Sequence, residues 1–236
     1  SLAEIVNVRV EEQADGSVTV FSGGDFLVFA GTAREVYAAK VSEDGLTKGE
    51  IRITASNSRI DSTTGRLAGL ETARDEIFGG FLGQLDNFAG TLIFEFNKVY
   101  SSGQGLVGHT TLKSESSVAD TGTALDQATL PFDPVNGSFQ VLTRNTQTGL
   151  TETTDVLVKL NGLDDDTTLA SLAATLDGID GISAKITSSR GLEIEVDSPN
   201  VEFAFANDTS GALAALGVGT FFTGTGSGDI GVSSVV

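Results

Sequence analysis

The sequence predicts an α+β fold: a small antiparallel β-sheet with a long amphipathic helix, followed by a second small α+β module. Three observations carry this. Short alternating apolar runs punctuated by Asp15-Gly16 and Gly23-Gly24 open the chain, the pattern of hairpins. Between Gly65 and Tyr100 the apolar spacing changes to three and four, which is helical. Beyond Pro134 strand-like and helix-like runs alternate again.

From Ser1 to about Asp61 the texture is β. Ile5, Asn7 and Arg9 alternate with Val6, Val8 and Val10, and SVTVF and FLVFAG follow the two glycine turns. Glu35 to Val41 and Glu50 to Thr54 continue the run across a turn expected at Asp44-Gly45. One face of the resulting sheet is expected to receive the long helix. In that helix Leu67, Leu70, Ile77, Phe81, Leu85, Phe88, Leu92, Phe96 and Val99 recur at steps of three, four and seven. Residues so spaced share one side of a 3.6-residue turn and are expected to form its packing face. Arg66, Arg74, Glu76, Asp86, Glu95 and Lys98 lie largely off that stripe. Gly79-Gly80 marks an expected break, since each glycine costs roughly 1 kcal/mol against alanine inside a helix. It separates a short first helix over 67–78 from a second over 81–100, about 30 Å long.

Residues 104–135 are rich in Ser, Thr, Gly and Gln and hold Pro131 and Pro134. That composition predicts a connector that packs no core of its own, with one short strand at 110–118. The second module, 136–223, is expected to run β-β-α-β-β-β-α: FQVLTR, DVLVKLN, a helix faced by Leu169, Leu172, Ala173 and Leu176, then ISAKITSS, LEIEV, VEFAFA and SGALAALGV. Asp166 or Thr167 is the expected N-cap of its first helix. Residues 1–103 thus form the first domain, and 224–236 a flexible tail or return connection.

With 14 Lys and Arg against 32 Asp and Glu, the net charge is −18. This argues against nucleic acid and anionic membrane surfaces, which require clustered cations. Cysteine is absent, so disulfides and thiolate metal sites are excluded. No apolar run approaches the ~20 residues of a membrane helix, and no cleavable signal is visible. The absence of methionine, the start at Ser1 and the end in SSVV point to a piece of a longer protein.

Catalytic constellations are sparse. His109 is the sole histidine, in a Gly/Thr/Ser-rich stretch without a nucleophile-elbow pattern, and is expected to be a loop residue. Acid pairs for glycosidase chemistry arise by coincidence among so many carboxylates, and none is singled out. Asp164-Asp165-Asp166 could bind calcium, but calcium loops alternate their ligands, whereas adjacent aspartates suit a helix start. GQGLVG and GTGSGDIG lack the lysine of a phosphate loop. No cofactor is expected.

The runs GRLAGLETARDEI and LGQLDNFAGTLIFEFNKVYSSG resemble the central helix of the bacterial flagellar hook–filament junction proteins, the first hook-associated protein family. Leu67, Gly69, Leu70, Arg74, Asp75, Leu85, Asp86, Ala89, Leu92, Phe96, Asn97 and Gly103 carry the match. Tyr100 stands where the family usually has histidine, and Gln104-Gly105 replaces an aspartate that often follows the glycine. DGSVTVFSGGDFLVFAG resembles the hairpin upstream of that helix, and LGVGTFFTGTG a stretch common in junction proteins. The segment TTLASLAATLDGIDGISAKITSSRGLEIEV is similar to the insertion module of flagellins and hook-associated proteins.

The resemblance implies a non-catalytic structural subunit joining hook to filament, extracellular and exported without a cleaved signal peptide. Its implied partners are sister subunits, the hook protein, the second junction protein and an export chaperone acting mainly on a C-terminal part not present here. The terminal assembly helices of the family are also not present, so the chain is expected to be monomeric by itself. Alternatives are a surface adhesin or carbohydrate-binding module, an acid-pair hydrolase and, within flagella, a filament cap or flagellin-like protein. The helix motif at Asp86, Ala89 and Asn97 favours the junction protein over the last two.

Overall fold

Gly16, at φ +82, lets the chain turn from Arg9–Glu12 (β1) into Val18–Ser22 (β2), with Asp15 accepting the Ser17 N–H at 2.9 Å. Asp25–Phe29 (β3) and Thr32–Ala33 (β4) complete an antiparallel sheet in the order β1-β2-β3-β4. The computed structural model describes residues 1–43 and 46–234. The turn expected at Asp44-Gly45 lies outside the described residues. On either side of it, Val36–Glu43 (β5) and Leu46–Ile53 (β6) pair antiparallel from Val36↔Ile53 to Glu43↔Leu46.

The chain divides into Ser1–Gly83 and Gln84–Val236. In the first unit Val6, Leu27, Ile53 and Ile60 form a small core, joined by Val8, Ile51 and Leu67. Two sequence expectations change here. Leu2–Ile5 is a short helix (α1), so strand structure begins at Arg9 and not at Ile5. The helical run starts as Gly65–Thr72 (α2), whose first residue sits at φ +87 against α1. A Cβ there would lie 2.8 Å from the Ile5 carbonyl oxygen, an approach only glycine permits. A π-helical segment, Ala73–Phe78, follows, and then Gly79–Ser101 (α3). Gly79 keeps helical angles, φ −62 and ψ −43. The irregularity expected at Gly79-Gly80 is therefore a wider helical turn just before the glycines, not a break in the backbone. Arg74, within that turn, donates from Nη1 to the Gly49 carbonyl at 2.7 Å and from Nε and Nη2 to Asp75.

The second unit has the larger core. Thr111–Lys113 (β7), Gly137–Asn145 (β8) and Thr151–Val158 (β9) precede the helix Leu169–Asp177 (α4). Ile182–Ile186 (β10), Leu192–Val196 (β11), Val201–Ala206 (β12) and the short helix Ala212–Leu216 (α5) follow. The strands form two antiparallel sheets, β10-β11-β7 and β12-β8-β9. Phe139, Phe203, Phe205, Leu169, Leu172, Leu176, Ile182 and Ile194 fill the core. The β-β-α-β-β-β-α order beyond residue 136 is as the sequence predicts.

Residues 104–135, expected to pack no core, contribute Leu112, Val118, Leu125, Ala128 and Leu130 to it. Their structure depends on distant partners: β7 pairs with β11, and His109 exchanges backbone hydrogen bonds with Phe203 at 2.7 and 2.9 Å. Local composition carries no trace of such pairing. The N-cap of α4 is Thr168, in a reciprocal capping box with Ser171, rather than Asp166 or Thr167. In the stretch 224–236, expected to be a flexible tail or a return connection, Gly231–Val232 (β14) pairs antiparallel with Phe222–Thr223 (β13).

Candidate functional site

Helix α3 has three longitudinal sectors, because successive residues turn by about 100°. Leu85, Phe88, Leu92, Phe96 and Val99 occupy one. Ala89, Gly90, Ile93, Asn97 and Ser101 occupy the next and are buried. Asn87, Thr91, Glu95 and Lys98 lie on the third. The structure corrects the sequence at this point. The expected packing face is not the buried one: Phe88 is 65% exposed and Val99 76%, and Leu85, Leu92 and Phe96 are exposed as well. In the first unit Leu67 is half-buried while Leu70, Ile77 and Phe81 are exposed. The hydrophobic stripe was legible, but the sector that packs within this chain is narrower, made of small and polar residues beside a single isoleucine.

The three motif positions Asp86, Ala89 and Asn97 fall on or beside the buried sector, and Asp86 and Asn97 bond to the segment that returns from α5. Asn97 is 2% exposed. Its Oδ1 accepts the N–H groups of Phe221 and Phe222 at 3.1 and 2.9 Å, and its Nδ2 donates to the Phe222 carbonyl at 2.9 Å. An amide is suited to this role, since it donates and accepts at once. Two turns down, a Cβ on Gly90 would meet the Thr225 carbonyl oxygen at 3.0 Å, so the missing side chain lets the segment lie close to the helix. Asp86 accepts the Ser227 N–H at 2.9 Å and the Ser227 hydroxyl. The Ser227 hydroxyl, then its N–H, holds the Asp86 carboxyl below its usual range. Asp229 closes the hairpin turn by accepting the Thr225 and Gly226 N–H groups, both at 2.8 Å, and these bonds lower its pKa as well.

The clasp also shapes the exposed sector. Phe221 and Phe222 lie 5.3 and 5.1 Å from Phe96, centroid to centroid, and Tyr100 lies 5.3 Å from Phe221. These separations are those of favourable aromatic pairs. The returning segment thus adds aromatic surface beside the Phe96 end of the stripe. Ile93 and Gly90 were not singled out from the sequence, and Phe221, Phe222, Ser227 and Asp229 stood out only within LGVGTFFTGTG and GTGSGDIG, with no role assigned to them. Asn97, a poor helix former well inside a long helix, was the signal within the helix itself.

Elsewhere the chemistry is structural. His109 packs 6.0 Å from the Phe203 ring, and burial lowers its pKa. Asp166 accepts the N–H groups of Asn161 and Gly162, both at 2.8 Å, and Asp165 pairs with Lys159. Among the described residues no group of three or more His, Cys, Asp or Glu side chains is placed to hold a metal ion. No helix among them is long and apolar enough to cross a membrane. A cavity of 340 Å³ behind the clasp is lined by Ile93, Asn97, Phe132 and Thr220, with Glu115 as its titratable group.

Comparison with known proteins bears on this helix directly. Residues 1–113 match the family model of the flagellar hook-associated protein FlgK helical domain. No curated protein matches the chain. Among solved structures, the D2–D3 domains of the flagellar cap protein FliD from Serratia marcescens are similar at 20% identity and a TM-score of 0.31, over 48% of this chain. The chain spans 55% of the length of that structure. The β-hairpins, the long helix and its Asp86, Ala89 and Asn97 positions all lie inside the matched residues, and over that segment the chain is similar to the flagellar hook-associated protein FlgK, a structural protein of the flagellum.

Proposed function

We propose that this protein joins the flagellar hook to the filament, and that the apolar stripe of α3 is the surface on which further helices pack in the assembled structure. The observation that carries this is the exposure of Leu85, Phe88, Leu92, Phe96 and Val99 on a helix whose adjacent sector is already filled. Exposed apolar surface of this extent on a soluble chain marks an interaction site. Spacing by three and four suits the ridges and grooves of a second helix. Sister subunits, the hook protein, the second junction protein and an export chaperone are the partners that this reading assigns. It also assigns export without a cleaved signal peptide and a role that involves no catalysis or cofactor.

The test is immunogold electron microscopy of sheared flagella with antibody raised against this chain. Label in a collar where hook meets filament is expected. Label along the filament, at its distal tip, or nowhere on the flagellum would overturn the assignment.

A further inference from the structure

Among the described residues, the three-stranded sheets of the second unit leave one edge open. Each three-stranded sheet has two edges: β7 and β10 in one, β12 and β9 in the other. β10 is closed by the Asp177 carboxylate, which accepts the Ala184 N–H at 2.9 Å, and by the Ile179 carbonyl, which accepts the Ile182 N–H. β12 is closed by His109 through its paired bonds with Phe203. β7 is three residues long and carries Lys113, and short strands and lysines are the usual means of blunting an edge. β9 has none of these features: it is eight residues long, TETTDVLV, with no lysine, proline or glycine.

Its register shows which groups are open. Asn145 donates to the Leu150 carbonyl at 2.9 Å, so with the pairing Arg144↔Thr151 to Gly137↔Val158 the even-numbered residues of β9 bond to β8. Thr151, Thr153, Asp155 and Leu157 therefore turn their N–H and C=O groups outward. The next outward residue, Lys159, is already bonded to Thr167 through N–H and C=O.

We propose that this edge pairs antiparallel with β9 of a second copy of the chain, about an axis through Thr154. In that register Thr151 faces Leu157 of the other copy, Thr153 faces Asp155, Glu152 faces Val156, and Thr154 faces itself. Neither acid lies opposite an acid. Sliding by one pleat toward Asp155 would put Asp155 opposite itself, and sliding the other way shortens the overlap. Narrow pairs at 151/157 and 153/155, counted in both directions, give about eight hydrogen bonds. Little apolar area is buried besides the exposed Leu157. The contact is therefore weak, absent in dilute solution and formed where copies are crowded. It is independent of the helix stripe and of the junction reading.

The chain has no cysteine, so Thr154→Cys introduces the sole thiol, at a non-hydrogen-bonded pair whose Cβ separation of about 5 Å suits a disulfide after small adjustment. At about 1 mM protein under mild oxidation, this variant is expected to form disulfide-linked dimer about tenfold faster than Leu163→Cys, an exposed loop control, because docking raises the local thiol concentration. In the Thr154→Cys background, Thr153→Glu sets a charge against Asp155 of the other copy and should slow the reaction, while Thr153→Lys should speed it. Equal rates for the two cysteine positions, or a rate indifferent to the charge at 153, would overturn the proposal. Far-UV circular dichroism confirms that each variant is folded.

Discussion

Asn97 and Phe222 hold each other by two hydrogen bonds, 2.9 Å from Nδ2 to the Phe222 carbonyl and 2.9 Å from the Phe222 N–H to Oδ1. A side chain inside a helix thereby completes the backbone bonding of a segment 125 residues later in the chain. It closes the second unit and positions the aromatic pair that extends the exposed stripe.

Asn97→Ala should destabilise the second unit by about 2–3 kcal/mol, because buried N–H and C=O groups lose their partners. Asn97→Asp should fail in a different manner at neutral pH: a carboxylate still accepts from Phe221 and Phe222 but repels the Phe222 carbonyl. Urea unfolding followed by circular dichroism measures both. Wild-type stability in either variant would mean that the clasp contributes nothing.

Ile93 and Leu92 are neighbours with opposite expected costs. Ile93 is 1% exposed, so Ile93→Ala should cost about 2–4 kcal/mol through lost contacts and a residual cavity. Leu92→Ala, on the exposed stripe, should cost less than about 1 kcal/mol. A reversed order in thermal or urea unfolding would show that the stripe, not the small-residue sector, is the packed face.

That contrast shows where the sequence was legible. Spacing located the helix and its apolar stripe, and the motif at Asp86, Ala89 and Asn97 pointed to the functional family. Spacing cannot distinguish apolar residues that pack within a chain from those kept for a partner, since both obey the same period. The buried sector escaped notice because Ala89, Gly90, Asn97 and Ser101 have little hydrophobic signal. Leu112 and Val118 fall in the expected connector because their partners, Ile194 on β11 and Arg190 in the turn before it, lie 82 and 72 residues away. Local composition has no access to pairings at that distance.

Phe88→Asp combined with Val99→Asp should leave the melting temperature of the isolated chain nearly unchanged, as both side chains are already in water. In flagellated cells producing the full-length protein with these substitutions, filaments should detach from or fail to form on intact hooks. The paired readout matters, because a fall in melting temperature would indicate a structural role for the stripe. Normal filaments would show that it is not an assembly surface.

Acid should loosen the returning hairpin before it disturbs the sheets. Backbone N–H groups of Thr225 and Gly226 lower the pKa of Asp229, and the Ser227 hydroxyl and N–H lower that of Asp86. A carboxyl whose folded pKa lies below its unfolded value contributes its full stabilisation above the unfolded value, about 3.9 for aspartate. That contribution falls away as pH drops toward and through the folded value. The bonds are accordingly complete at neutral pH and begin to weaken below about pH 4. Amide-exchange protection of Thr225, Gly226 and Ser227 should hold from neutral pH down to about pH 4 and decline below it, ahead of protection at Phe203 and Phe205. Asp229→Asn keeps an acceptor oxygen but cannot titrate, so it should remove the share of that decline owed to the turn. Unchanged protection at the three amides across this range would show that the carboxylates do not hold the loop, leaving Asn97 as its principal anchor.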